Sequence, residues 1–216
     1  DETQKKAIEA AAQESILVIT GGPGTGKSTI LAAILTEFKY AGLKVKMVAP
    51  TGKAAKRMSE TTGDSATTIH RLLLGIDYDG MDNYYKEGYC PGSMDADVLI
   101  MDESSMVDIR LMGWLMSYIE EGMRFIIIGD VDQLPSVGPG TVLKDIIRSG
   151  VVRTIRLTNT FRQGADSLII ENARRINSGN SQLVYNWANR DVYMMQIENN
   201  DELIEEKVVS IAARQL

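Results

Sequence analysis

The chain has 216 residues, of which 44% are hydrophobic and 24% charged, with a formal net charge of -6. That is ordinary globular composition, long enough for one full domain and part of another, and no run of about 18 apolar residues marks a membrane span. One cysteine, Cys90, and one histidine, His70, exclude an internal disulfide and a Cys- or His-built metal site, and they fit a reducing, cytoplasmic setting.

The opening DETQKKAIEA lacks the basic and apolar regions of a signal peptide. It also lacks an initiator Met, so the chain reads as a piece of a longer protein. Helix is expected over 4–14. The β-branched run 16–20 (ILVIT) ends at glycines and reads as a buried strand. A helix over 27–41 follows, then a strand over 44–49 and a helical stretch to about Glu60. Residues 75–96 are rich in Gly, Asp and Tyr and read as a surface excursion, whose tyrosines could alternatively stack on bases. Beyond it come a strand over 97–101, a helix over 107–120, a strand over 123–128, a helix over 140–149 and a strand over 151–157. From Asn159 the character changes: helix is expected over 164–178, strand over 191–197 and helix over 201–214.

Strands alternating with helices predict an α/β fold with a mostly parallel sheet covered on both faces. Ligands then bind beyond the carboxyl ends of the strands, which is where the chemical motifs fall. The division expected is residues 1–157 as one complete α/β unit and 158–216 as the start of a second, cut short.

GGPGTGKS fits the phosphate-loop pattern through Gly21, Gly26, Lys27 and Ser28. Glycines let successive backbone N–H groups curl around phosphate oxygens, and the helix that begins at the loop's end turns its positive end toward the anion. Lys27 reaches the outer phosphates and the Ser28 hydroxyl ligates Mg²⁺. VLIMDESS places Asp102 and Glu103 at a strand end: Asp102 to hold Mg²⁺, Glu103 to polarise the attacking water. Without the phosphate loop, Asp102 or Ser104 would read as a helix cap. In IIIGDVDQLPSVGPG, Gln133 is placed to sense the γ-phosphate, with Asp130 orienting it. The negative net charge runs against nucleic-acid binding, but binding depends on a local patch. Lys44, Lys46, Lys53, Lys56 and Arg57 are the densest basic stretch, and a solvated helix face is its plainer reading.

Together, GGPGTGKST, APTGKAAKRM (49–58), TTIHRLL (67–73), DESSM (102–106), GDVDQLPSVGPG (129–140) and LTNTFRQ (157–163) closely resemble the superfamily 1 DNA helicases of the RecD-like type. This is the exonuclease V alpha subunit family with its relaxase-linked relatives, and the likeness runs from about Gln4 to Asn177. It implies a RecA-like P-loop ATPase. Gln4 would read adenine, and Gly22, Pro23, Gly24, Thr25, Gly26, Lys27, Ser28 and Thr29 would hold the nucleotide. Lys27, Asp102, Glu103, Gln133 and Arg162 would be the catalytic set, with Mg²⁺ on Ser28 and Asp102. Thr51, Lys53, Thr68 and His70 would line the single-strand path; as bare residues, His70 reads equally as a satisfied helix histidine, Gln4 as a solvated helix residue and Arg162 as a structural ion-pair partner.

The resemblance also implies 5′ to 3′ movement on single-stranded DNA, a role in repair or recombination, and other subunits of a helicase–nuclease complex as partners. The chain departs from the family after Asn177, where neither the Gln-Gly motif nor the terminal arginine finger of the second motor domain is visible. Nucleotide binding with feeble turnover is therefore expected of this chain alone. A small-molecule kinase and a non-catalytic nucleotide-binding module are the alternatives.

Overall fold

The computed structural model describes residues 1–76, 92–159, 167–185 and 200–213, with 192 and 197. Two units divide the chain, Asp1–Arg162 and Gln163–Leu216. In the first, the elements are α1 (Glu2–Gln13), β1 (Ile16–Gly21), α2 (Lys27–Tyr40), β2 (Val45–Ala49), α3 (Gly52–Thr62), β3 (Thr67–Thr68) and α4 (Ile69–Ile76). They continue with β4 (Val98–Met101), a 3₁₀ turn (Ser104–Met106), α5 (Ile109–Met116), β5 (Arg124–Gly129), α6 (Val142–Ser149) and β6 (Arg153–Leu157).

The strands form one sheet in the order β3-β2-β4-β5-β1-β6, and every pairing is parallel. Alternation along the strands explains why their sequences are continuously apolar. Val18, Leu99, Met101, Phe125 and Ile127 join one buried cluster with α4, α5 and α6. Leu17, Ile19, Val98, Ile100, Ile126 and Ile128 join the other with α1 and α2. Successive side chains point to opposite faces, and helices cover both faces, so no strand position among these can be polar without cost. Burial of a single Leu or Ile here is worth about 1.5–3 kcal/mol.

The connections set the position of the crevice. The chain leaves β1 through α2, on one face, to reach β2. It leaves β5 through α6, on the other face, to reach β6. Where neighbouring parallel strands send their helices in opposite directions, a crevice opens beyond their carboxyl ends.

The expected elements occur in the expected order, with three differences. The helix expected over 107–120 is shorter: a 3₁₀ turn precedes it, Asp108 caps α5 through Leu111 N–H at 2.8 Å, and i→i−3 bonds from Tyr118 and Ile119 tighten its end. The helix expected from 140 starts at Val142, because the Pro139 carbonyl is taken by Ile109 N–H at 2.9 Å. The edge strand β3 and helix α4 were not expected; two residues are too few to show strand periodicity.

In the second unit, α7 (Leu168–Asn177) and α8 (Asp201–Ala213) are formed. Asn172 is buried and exchanges two hydrogen bonds of 2.7 Å with the backbone of Val184. The strand expected over 191–197 and most of the 75–96 excursion lie outside the described residues.

Candidate active site

A cavity of about 370 Å³ lies beyond the carboxyl ends of β1 and β4. Pro23, Gly24, Thr25, Gly26, Lys27, Ser28, Thr29, Arg57, Asp102, Glu103 and Gln133 line it. Four segments, from the loop at 23–29 to Gln133, therefore meet at one place.

The loop after β1 is shaped by its own backbone. Gly26 precedes α2 at φ 86°, in the left-handed region that a Cβ disfavours, so the chain can turn sharply into the helix. Thr25, itself buried, closes the loop by donating its hydroxyl to the Gly22 carbonyl at 2.9 Å. Lys27 folds back on the loop and donates to the carbonyls of Gly21 and Gly22. A phosphate oxygen is a charged acceptor and would bind that ammonium more strongly than a neutral carbonyl does. The α2 amino terminus adds unpaired N–H groups directed at the same space. Gln4, on α1, donates to the Thr25 carbonyl at 3.4 Å and so lies against the loop, outside the cavity lining.

β4 ends in a tight turn that presents two carboxylates. Glu103 sits at φ 53° and ψ 37°, a left-handed conformation uncommon for a residue with a side chain and concentrated at functional sites. Its N–H donates to Asp102 Oδ1 at 2.8 Å. Burial pushes the Asp102 carboxyl above the ordinary carboxylate range; the Glu103 charge adds to this, while the Glu103 N–H and the positive charges of Lys27 and Arg57 partly offset it. Ser28 and Asp102 supply hard oxygen donors to the same cavity. Among the described residues no group of three or more His, Cys, Asp or Glu side chains comes together. That donor set fits Mg²⁺, which keeps most of its shell as water and phosphate oxygen and takes one or two ligands from protein.

β5 contributes the third wall. Asp130 is buried; its carboxylate accepts from Asp132 N–H at 3.1 Å and its carbonyl from Gln133 N–H at 3.2 Å. The Thr20 hydroxyl accepts from Val131 N–H at 3.3 Å and pins the same loop to β1. Asp130 thus braces the turn that carries Gln133 and does not itself line the cavity.

The residues expected to line a strand path lie elsewhere. Thr51 caps α3 by accepting from Ala54 N–H at 3.2 Å, and Thr68 accepts from Arg71 N–H at 3.1 Å at the start of α4. β2 and β3 are paired, so Thr51 and Lys53 leave one strand end beside Thr68 and His70 at its neighbour. His70 is exposed, with its ring edge-on to Trp114 at 6.1 Å. The basic stretch is divided. Lys44 and Lys46 lie at the amino end of β2, where Lys44 pairs with Asp95 at 2.6 Å; Lys53, Lys56 and Arg57 lie past its carboxyl end, where Lys56 pairs with Glu60. Arg162 lies outside the described residues.

Arg57 was missed as a cavity residue. The only sign of it in the sequence is its place in the basic stretch; that the second turn of α3 faces Asp102 is a tertiary fact.

Comparison with known proteins places these features. The AAA domain family matches residues 1–198. The chain is 36% identical over 200 residues to the ATP-dependent RecD2 DNA helicase of Deinococcus radiodurans, covering 91% of this chain and 26% of that protein. It is 35% identical over 182 residues to the RecBCD enzyme subunit RecD of Mycobacterium tuberculosis, covering 74% of this chain and 31% of that one. The crystal structure of Pif1 helicase from Candida albicans superposes with a TM-score of 0.62 at 25% identity, over 83% of this chain and 44% of that chain. The fold is that of the RecA-like P-loop helicases. The chain spans between a quarter and a third of the length of these two curated relatives.

Proposed function

The chain belongs to the AAA domain family, and from that premise we propose that it is the first motor unit of an ATP-dependent DNA helicase of the RecD-like type. The observation that carries this reading is the cavity in which Lys27 and Ser28 face Asp102, Glu103 and Gln133. A kinase of a small molecule would share the loop; it gives no reason for a braced Gln133 at the same cavity.

In this reading the loop amides and Lys27 orient the phosphates of ATP. Ser28 and Asp102 would hold Mg²⁺, which when bound neutralises phosphate charge. Glu103, which lines the cavity, accepts a proton from the attacking water. Phosphoryl transfer asks mainly for positioning and charge stabilisation, and these groups supply both. Gln4, which donates to the Thr25 carbonyl, reads the base. Gln133 couples phosphate state to DNA, and Arg162 reaches the γ-phosphate from the start of the second motor unit, which 158–216 begins. Thr51, Lys53, Thr68 and His70 contact a single strand that the protein follows 5′ to 3′. The setting is cytoplasmic, in DNA repair or recombination, with further subunits of a helicase–nuclease complex as partners; no helix among the described residues is long and apolar enough to cross a membrane.

The test is ATP hydrolysis by the whole protein with and without single-stranded DNA. DNA should stimulate turnover, and Lys27→Ala should abolish it; equal rates with and without DNA would overturn the helicase reading. The 216-residue chain alone should bind nucleotide and turn it over far below the enzyme median of about 10 per second.

A further inference from the structure

One cation in the nucleotide cavity has no role in the reading above. Arg57 lines the cavity, and it shares a second, smaller crevice with Ser28, Leu31, Met58, Thr61 and Asp102. It therefore stands beside the two residues that would hold the metal. Its neighbour Lys56 turns outward to Glu60, whereas Arg57 forms no ion pair among the described residues. An exposed guanidinium with five donors and no carboxylate within ion-pair distance among the described residues is available to an incoming anion, and its fork geometry suits phosphate oxygens. The anion that fills this cavity in the ATP reading ends in a γ-phosphate.

α3 gives that contact a second end. Ala55 and Met58 are buried, so the helix is held by packing on both sides of Arg57. Thr51 caps its amino end, six residues before Arg57, and six residues of α-helix rise about 9 Å. A shift of the helix at Arg57 must move Thr51 and Lys53 with it. We propose that Arg57 reads the terminal phosphate of bound nucleotide and that α3 transmits that state to the single-strand contacts at Thr51 and Lys53. The proposal rests on the cavity being an ATP site.

The experiment measures binding by the full chain of a non-hydrolysable ATP analogue and of ADP, each with Mg²⁺, in the native protein and in Arg57→Ala, Arg57→Lys and Lys27→Ala. Arg57→Ala should lose about tenfold or more for the triphosphate, the range of a charge-assisted hydrogen bond, and less than about twofold for ADP. Arg57→Lys should fall between, because it keeps the charge and loses the fork. An equal loss for both nucleotides, or no loss, would overturn the phosphate-reading role. In the native chain an oligo-dT strand should tighten triphosphate binding; in Arg57→Ala that tightening should vanish while oligo-dT affinity without nucleotide is unchanged. Tightening that persists in Arg57→Ala, or is absent from the native chain, would overturn transmission through α3. If Lys27→Ala binds the triphosphate as well as the native chain does, the ATP-site reading itself fails, and this proposal with it.

Discussion

At the scale of single residues, the site sets stability against charge. Burial strips water from Asp102, which penalises its charged form and pushes its carboxyl above the ordinary range. An acid whose folded pKa is raised contributes stability below its unfolded pKa and loses that contribution as pH rises through the folded value. In metal-free buffer, Asp102→Asn should therefore melt higher than the native chain at neutral pH. The advantage should shrink as pH falls through the carboxylate range, as thermal melts across pH would record. Its neighbour tests the chemistry. Glu103→Gln keeps the side chain's size, so nucleotide affinity should hold within about threefold while steady-state hydrolysis by the whole protein falls about 10²–10⁴-fold, the usual worth of a general base. Legibility was uneven at this scale. Lys27, Ser28, Asp102 and Glu103 could be named from the sequence because each sits within two residues of a strand or helix end. Arg57 could not, because its role depends on which side of α3 faces β4.

At the scale of elements, the loops beyond β5 and β2 are held by close contacts that a small change would disturb. A Cβ on Gly129 would lie 2.3 Å from the Ser104 Oγ and 3.0 Å from a Leu143 methyl. Ser104 is fully buried, so it has little room to yield. Gly129→Ala should cost about 1–3 kcal/mol by overpacking, read as a lower midpoint in urea, and should loosen the turn at Glu103 that Ser104 follows. Thr51 is a cap as well as a proposed DNA contact. Thr51→Ala should cost about 1 kcal/mol of stability, whereas Thr51→Ser should retain the cap; a DNA-binding defect in the serine variant at unchanged melting temperature would assign Thr51 a direct contact with the strand. Element positions were largely legible because buried parallel strands are short apolar runs between glycines and prolines. β3 was not, since its two threonines are indistinguishable from a loop until Val48 and Ala49 pair with them. Nor was the length of α5, where Asp108 and the turn bonds after Met116 decide the ends.

At the scale of the whole molecule, the unit Asp1–Arg162 contains the entire sheet and both buried clusters. A chain ending at Arg162 should melt as one cooperative transition by calorimetry, as single domains with their own core do. The net charge of -6 bears on DNA binding. Lys44 and Lys46 stand at the opposite end of β2 from Lys53, so they cannot contribute to a strand path past that sheet edge. Few phosphate contacts mean a shallow salt dependence. Raising salt should weaken single-strand binding with a log–log slope set by only a few cations, and Lys53→Ala should flatten it further, whereas Lys44→Ala should not.

The sequence by itself carried the class of fold and the order of its elements, and it named the residues proposed to hold phosphate and metal. Those depend on local signals: apolar runs, glycines at sharp turns, and functional groups at strand ends. Only the tertiary structure decided which residues share a cavity. The strand order β3-β2-β4-β5-β1-β6 sets β5 beside β1 and β4 next after β5, bringing Asp102, Glu103 and Gln133 to the phosphate loop. The same packing divides one basic stretch between two ends of β2 and leaves the exposed Arg57 at the cavity, because the side a helical residue faces is fixed by what the helix packs against.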